Sequence, residues 1–478
     1  MFEVAELGHR IDAKEYEEAV PELRTDLLVA QEELKRAGFS VVVLFAGSDG
    51  AGKAVMVNRL NEWLDPRYVD TTAFGEPTDG ERDRPEYWRF WRTLPAAGRI
   101  GMYIGSWYSP AMIRRITGEY KDAEFDGHLL QVNSFEKALV DDGTLVIKVW
   151  LHLSKEEQQA RLETLEADPA TAWRVTEQDK RHLAKYDQFR AISEHCIRET
   201  STGYAPWIIV ECTDPHYRDI TVARYLLERI QHRLDRLEHN KAIEQENKTG
   251  KSGKPGKVDG IPVFPVISRP LTILGSLNMS LKLDKARYEE QLKQYQGRLA
   301  LLVRRAYEQK ISSVIVLEGW DAGGKGGLIR RVIPALDARN FRVIPIAAPT
   351  DEERAHHYLW RFWRHIPRAG RTTIYDRSWY GRVLVERVES FASPEEWMRA
   401  YAEINDFEQQ LTEHGTLVVK FWLHIDQDEQ LKRFKEREKI PYKKYKITEE
   451  DYRNREKWDE YEHAVNDMVE RTSTEFAP

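Results

Sequence analysis

Val314-Ile315-Val316-Leu317-Glu318-Gly319-Trp320-Asp321-Ala322-Gly323-Gly324-Lys325-Gly326-Gly327-Leu328-Ile329-Arg330-Arg331 is the stretch whose reading decides the fold. Its first four residues are apolar and mostly β-branched, which suits a strand buried on both faces of a parallel sheet. Gly319, Gly324 and Lys325 have the G-x-x-x-x-G-K spacing of a phosphate-binding loop, in which glycines let backbone N–H groups wrap a phosphate and the lysine neutralises it. A helix should begin beyond Lys325 and add its partial positive charge at the same place.

Three fixed positions recur by chance about once in several proteins of this size. A second copy removes that objection. Gly47-Ser48-Asp49-Gly50-Ala51-Gly52-Lys53 follows the apolar run Val41 to Phe45, at an offset of 319 − 47 = 272 residues. The offset holds without a gap through Trp88/Trp360, Trp107/Trp379, Asp179/Asp451 and Pro206/Pro478. The chain is a tandem duplication of two α/β domains, each large enough to bury its own core.

With 478 residues, a net charge of −7 and a pI near 6.1, the chain is no generic nucleic-acid coat, so an anionic ligand must be met by local clusters of Lys and Arg. Cys196 and Cys212 have no metal-ligand spacing, which fits packing roles in a reducing compartment. The N-terminus lacks the pattern of a signal peptide, and the apolar runs are of strand length. A cytoplasmic protein without membrane or nucleic-acid partners is expected.

An amphipathic helix over about Asp12 to Arg36, with Leu23, Leu27, Leu28 and Leu34, leads into the first strand, and its twin starts at Asp284. Later strands are expected near Tyr68 to Phe74, up to Ile104, over Leu145 to Leu151 and over Trp207 to Glu211. In the second copy they fall near Phe341 to Ala347, up to Asp376, and over Leu417 to Leu423. Between strands lie Tyr87-Trp88-Arg89-Phe90-Trp91-Arg92 and Tyr358-Leu359-Trp360-Arg361-Phe362-Trp363-Arg364. These rings could stack bases, but an amphipathic helix packing its aromatics inward is the simpler reading. Alternating strands and helices behind a phosphate loop imply parallel sheets with ligands at the strand C-termini. The expected domains are 1–236, a polar Gly/Lys linker 237–279, and 280–478. Pro478 matches Pro206, so the second copy lacks a last strand and helix, and a further tail of roughly 20 to 30 residues is expected.

Where an ordinary phosphate loop carries a magnesium-binding Ser or Thr after its lysine, this one has Gly326. The candidate metal ligands are therefore Asp321 in the loop and Asp376 at the third strand's end, both hard oxygen donors suited to Mg²⁺. Arg377 follows, then Arg382, Glu386 and Arg387. A third cluster includes Arg433, Lys443, Lys444 and Lys446, which suits a cationic lid closing over phosphates. The first copy keeps Asp49 and Lys53. Against Asp376, Arg377, Arg382, Glu386, Lys443 and Lys444 it has Ile104, Gly105, Pro110, Arg114, Thr171 and Ala172. It has lost the strand-end metal ligand and much of the lid charge.

Gly319 to Gly326, Asp376-Arg377-Ser378-Trp379-Tyr380, Lys420-Phe421-Trp422-Leu423 and Thr472-Ser473-Thr474 together resemble the family-2 polyphosphate kinases, over nearly the whole chain apart from the linker. The resemblance implies two tandem P-loop kinase-like domains, each a five-stranded parallel sheet flanked by helices with a helical lid. It implies transfer of a phosphoryl group from inorganic polyphosphate to AMP, giving ADP, with an inactive first repeat. Asp321 and Asp376 would hold Mg²⁺; Asp321, Lys325, Asp376 and Arg377 would be catalytic. The phosphate and nucleotide set would be Gly319, Gly323, Gly324, Gly326, Gly327, Arg330, Arg331, Arg382, Glu386, Arg387, Arg433, Lys443, Lys444 and Lys446. A common lid Asp-Pro pair is here Ile440-Pro441, although the first copy keeps Asp168-Pro169. Loop and lid alone would equally serve an ATP-dependent nucleotide kinase, and a catalytically dead phosphate-binding assembly protein is a third reading. If fusion joined a symmetric dimer, the two copies would form an intramolecular pseudo-dimer, with further homo-oligomers open.

Overall fold

Val41 to Phe45 carries no polar side chain, and in the computed structural model all five residues are buried. They open β1 (Val41–Gly47), the centre of a five-stranded parallel sheet of order β2-β3-β1-β4-β5. The other strands are β2 (Val69–Ala73), β3 (Ile100–Ile104), β4 (Leu145–His152) and β5 (Trp207–Glu211). Val43 sits opposite Met102 on one side and Ile147 on the other. The chain leaves β1 for one edge and returns to the opposite one, which opens a crevice at the strand's carboxyl end. The structure describes residues 1–175, 177–249, 272–439 and 449–478.

Four helices matter in the first copy: α1 (Ala13–Ala37), α2 (Lys53–Trp63), α3 (Ser109–Thr117) and α4 (Pro215–Thr249). Asp12 caps α1 by accepting from the Glu15 amide. Leu23, Leu27 and Leu34 are buried as the periodicity requires, whereas Leu28 is exposed, because α4 and the sheet cover only one face of the helix.

The second sheet repeats the order as β7-β8-β6-β9, from β6 (Ser313–Gly319), β7 (Phe341–Pro345), β8 (Thr372–Asp376) and β9 (Leu417–Leu423). Among the described residues the first copy has five strands and the second has four. Here α5 (Lys285–Glu308) matches α1, and α6 (Lys325–Val332) follows the loop. Farther along are α7 (Gln427–Glu438) and α8 (Trp458–Thr472). No residue of α5 is buried, and Leu301 and Leu302 are exposed, since no described helix covers it as α4 covers α1.

The described residues gather into two compact units. One takes the described residues of 1–76, 93–249 and 355–357; the other takes those of 77–92, 272–354 and 358–478. Pro77–Arg92 packs within the second unit, where Trp91 stacks on Trp363 with ring centroids 5.9 Å apart and Arg84 donates to the Ile366 carbonyl at 3.1 Å. Aromatic burial is indifferent to chain order, and here it outweighs sequence proximity. Trp88, Phe90, Trp91, Trp360, Phe362 and Trp363 are all buried, which is the packing role rather than base stacking.

Both cysteines are buried, and burial pushes each thiol up to about 12. Among the described residues no helix is long and apolar enough to cross a membrane.

Candidate active site

The loop after β6 is shaped by what lies against it. Gly319 has φ 145°, and a Cβ there would stand 2.5 Å from the Leu423 carbonyl oxygen of β9. Only glycine lets the chain pass so close to its neighbouring strand. Lys325 begins α6 and folds back over the loop, donating to the Gly319 carbonyl at 2.6 Å and to the Trp320 carbonyl at 3.2 Å. Burial lowers its ammonium below the ordinary value, while the Asp321 carboxylate opposes that shift.

Asp321 is gripped from two sides. Arg377 Nη2 lies 2.9 Å from its Oδ1, and Asn454 Nδ2 donates to its Oδ2 at 3.1 Å. Gln430 of α7 donates to the Asp321 carbonyl at 3.1 Å. Arg433 reaches the carbonyls of Ala322 and Gly323 at 3.0 and 3.2 Å. Arg433, expected to meet phosphate, thus braces the loop from behind. Asp376, at the end of β8, acts on the Lys325 ammonium from the neighbouring strand.

Sequence reasoning passed over Glu318. It is 7% exposed, accepts from Ser378 Oγ at 2.8 Å, and is pushed up by burial against the pull of Lys325. It lines one cleft with Asp321 and Arg377. The repeat did carry a signal, because its counterpart is Ala46. Trp320, which lines the cleft, stacks on Trp458 with ring centroids 3.7 Å apart and planes tilted by 8°, a pairing that the sequence did not show.

The outer candidates scatter. Gly326 is exposed and a Cβ there would meet nothing, so sterics do not demand its glycine. Arg331 turns to the Gly327 carbonyl and the Tyr288 hydroxyl, and Arg330 is exposed. Arg382 pairs with Glu386 at 3.0 Å. Arg387 binds Asp467 at 2.8 Å and lies over the Trp397 ring. Lys443, Lys444, Lys446 and the Ile440-Pro441 pair lie outside the described residues.

Beneath the loop, a second set of family-like residues is structural. Trp379 Nε1 and Tyr380 Oη donate to Glu408 Oε1 at 3.0 and 2.6 Å. Lys420 donates to Glu408 Oε2 at 2.9 Å and to the Thr472 carbonyl at 2.7 Å. The first copy repeats this with Trp107, Tyr108, Glu136, Lys148 and Thr200. A glycine-rich loop with a lysine, two acidic residues on adjacent strands and this shared network mark one fold. The model of polyphosphate kinase 2 matches residues 10–238 and again 282–478. The chain belongs to the polyphosphate kinase 2 family.

Relatives within and beyond the family model extend over both copies. A Pseudomonas aeruginosa protein named polyphosphate:AMP phosphotransferase is 51% identical over 100% of this chain and 94% of its own length. A protein of the same name from Acinetobacter johnsonii is 35% identical over 96% of this chain and 90% of its own. The crystal structure of a polyphosphate kinase 2 from Pseudomonas aeruginosa aligns with a TM-score of 0.86 at 49% identity, covering 100% of this chain and 93% of that one. The parallel α/β fold with its P-loop is therefore that of polyphosphate kinase 2.

Proposed function

We propose that the second copy transfers the terminal phosphoryl group of inorganic polyphosphate to AMP. The bond from the terminal phosphorus to its bridging oxygen breaks, one from that phosphorus to an AMP phosphate oxygen forms, and the products are ADP and a chain shorter by one phosphate. The observation that carries this reading is the Arg377–Asp321 pair across the loop mouth, beside Lys325. The first copy has no such pair, since Gly105 replaces the arginine. The names of the full-length relatives supply the donor and acceptor.

Lys325 and the loop N–H groups bind and neutralise the donor phosphate. Arg377, about half exposed, can leave Asp321 for the transferring group and stabilise its charge. Among the described residues no three His, Cys, Asp or Glu side chains form a protein cage for a metal. That donor set fits Mg²⁺, which takes one or two carboxylates and completes its shell with water and phosphate. Asp321 and Asp376 would hold it, and it would neutralise charge on the phosphate oxygens. Trp320, stacked on Trp458, shields the cleft from water.

Incubating the full chain with AMP, Mg²⁺ and either polyphosphate or ATP, and measuring ADP, tests the proposal. Polyphosphate-dependent ADP formation is expected. ADP formed with ATP alone, and none with polyphosphate, would make the protein an ATP-dependent nucleotide kinase instead.

A further inference from the structure

The first copy keeps its loop but opens the space above it. Glu318, Trp320 and Arg377 of the second copy correspond to Ala46, Ser48 and Gly105, three large residues against three small ones. A cavity of about 660 Å³, with Ala46 and Gly105 in its lining, lies at the first loop, against about 80 Å³ at the second. Small-molecule sites run from about 300 to 1,000 Å³. The floor is the phosphate loop, with Lys53 donating to the Gly47 carbonyl at 2.7 Å and the Ser48 carbonyl at 3.1 Å, as Lys325 does in its own copy. The walls are mostly apolar and aromatic, including Phe45, Tyr108, Ile113, Trp150 and Phe189.

A buried donor in the wall points to a hydrogen-bonding guest, and the loop lysine to an anionic one. Trp150 lines this cavity at 2% exposure, and its indole N–H has no partner among the described residues. In the second copy the equivalent Trp422 N–H reaches His424. An unsatisfied buried donor costs about 1–3 kcal/mol, so an acceptor brought to the Trp150 N–H is favoured.

We propose that the first copy holds a second nucleotide site, binding a nucleoside monophosphate with its phosphate on the Gly47–Lys53 loop and its base against the Trp150–Phe189 wall. Those two rings stack on each other with centroids 5.8 Å apart and line the cavity together, an apolar wall against which a base can pack. The site binds without turning its guest over, because Ile104 and Gly105 stand where Asp376 and Arg377 do the work. It does not rest on the reaction assigned to the second copy.

Titration calorimetry of the full chain with AMP, without polyphosphate, tests it. Ile113 is 53% exposed, so Ile113→Asp leaves the fold intact while placing a carboxylate at the mouth. Ala46→Trp fills the space from the strand side. Each should weaken one AMP-binding event tenfold or more, and Lys325→Ala should leave that event in place. Adenosine and inorganic phosphate, which each carry half the guest, should bind there more weakly than AMP. AMP binding indifferent to both first-copy substitutions would overturn the site, as would a site that takes inorganic phosphate as tightly as AMP. Neither result would touch the ADP assay of the second copy.

Discussion

At two matching positions the copies hold one backbone shape with different residues. Gly50 and Gly105 have φ of 77° and 75° in the first copy, and their counterparts Ala322 and Arg377 have 60° and 67° in the second. A left-handed residue other than glycine costs on the order of 1–3 kcal/mol and persists where its surroundings hold it. The second copy keeps that strain at Arg377, whose side chain meets Asp321; the first, with no such contact, has the relaxed residue. Below the loops the contrast disappears, because Glu136–Lys148 and Glu408–Lys420 make the same buried pair. Chemistry separates the copies and scaffold unites them.

The largest effect should come from the shared part. Glu136→Ala and Glu408→Ala each strand a lysine, and breaking a buried pair typically costs about 3–5 kcal/mol. Denaturant unfolding followed by fluorescence should show comparable losses for both variants. A large loss in one copy and none in the other would show that the scaffold is not shared.

Asp376→Asn comes next. Withdrawing charge stabilisation at a transfer site costs about 2.7–4 kcal/mol, roughly 10²- to 10³-fold in turnover. ADP formation within threefold of the parent would remove Asp376 from the mechanism. At the loop itself, Lys325→Ala should lose more turnover than Lys53→Ala in the same assay; the reverse order would exchange the roles of the copies.

Arg377→Gly should have the smallest effect on stability and the most informative sign. It relieves up to about 1–3 kcal/mol of backbone strain while deleting the ion pair with Asp321, a partly exposed contact worth about 0–1 kcal/mol. The thermal midpoint should rise while ADP formation falls. A variant that melts lower than the parent would show that the left-handed turn is not strained.

The sequence alone determined the duplication, both phosphate loops, the strands of each sheet and the place of Asp376 at the end of the third strand. Those features are local: a buried parallel strand is a continuous apolar run, a phosphate loop needs glycines at fixed spacing, and a constant offset of 272 residues aligns the copies. Glu318 was also within reach, since its counterpart Ala46 marks a buried charge present in only one copy. The remainder was decided by tertiary structure. Asn454 meets Asp321 across 133 residues of sequence, Trp458 stacks on Trp320, Arg433 turns to loop carbonyls, and Pro77–Arg92 packs outside its own copy. No periodicity encodes such pairings, because they depend on where helices settle on a sheet. The cavity above the first loop has the same origin: small residues leave space only where the surrounding walls hold it open.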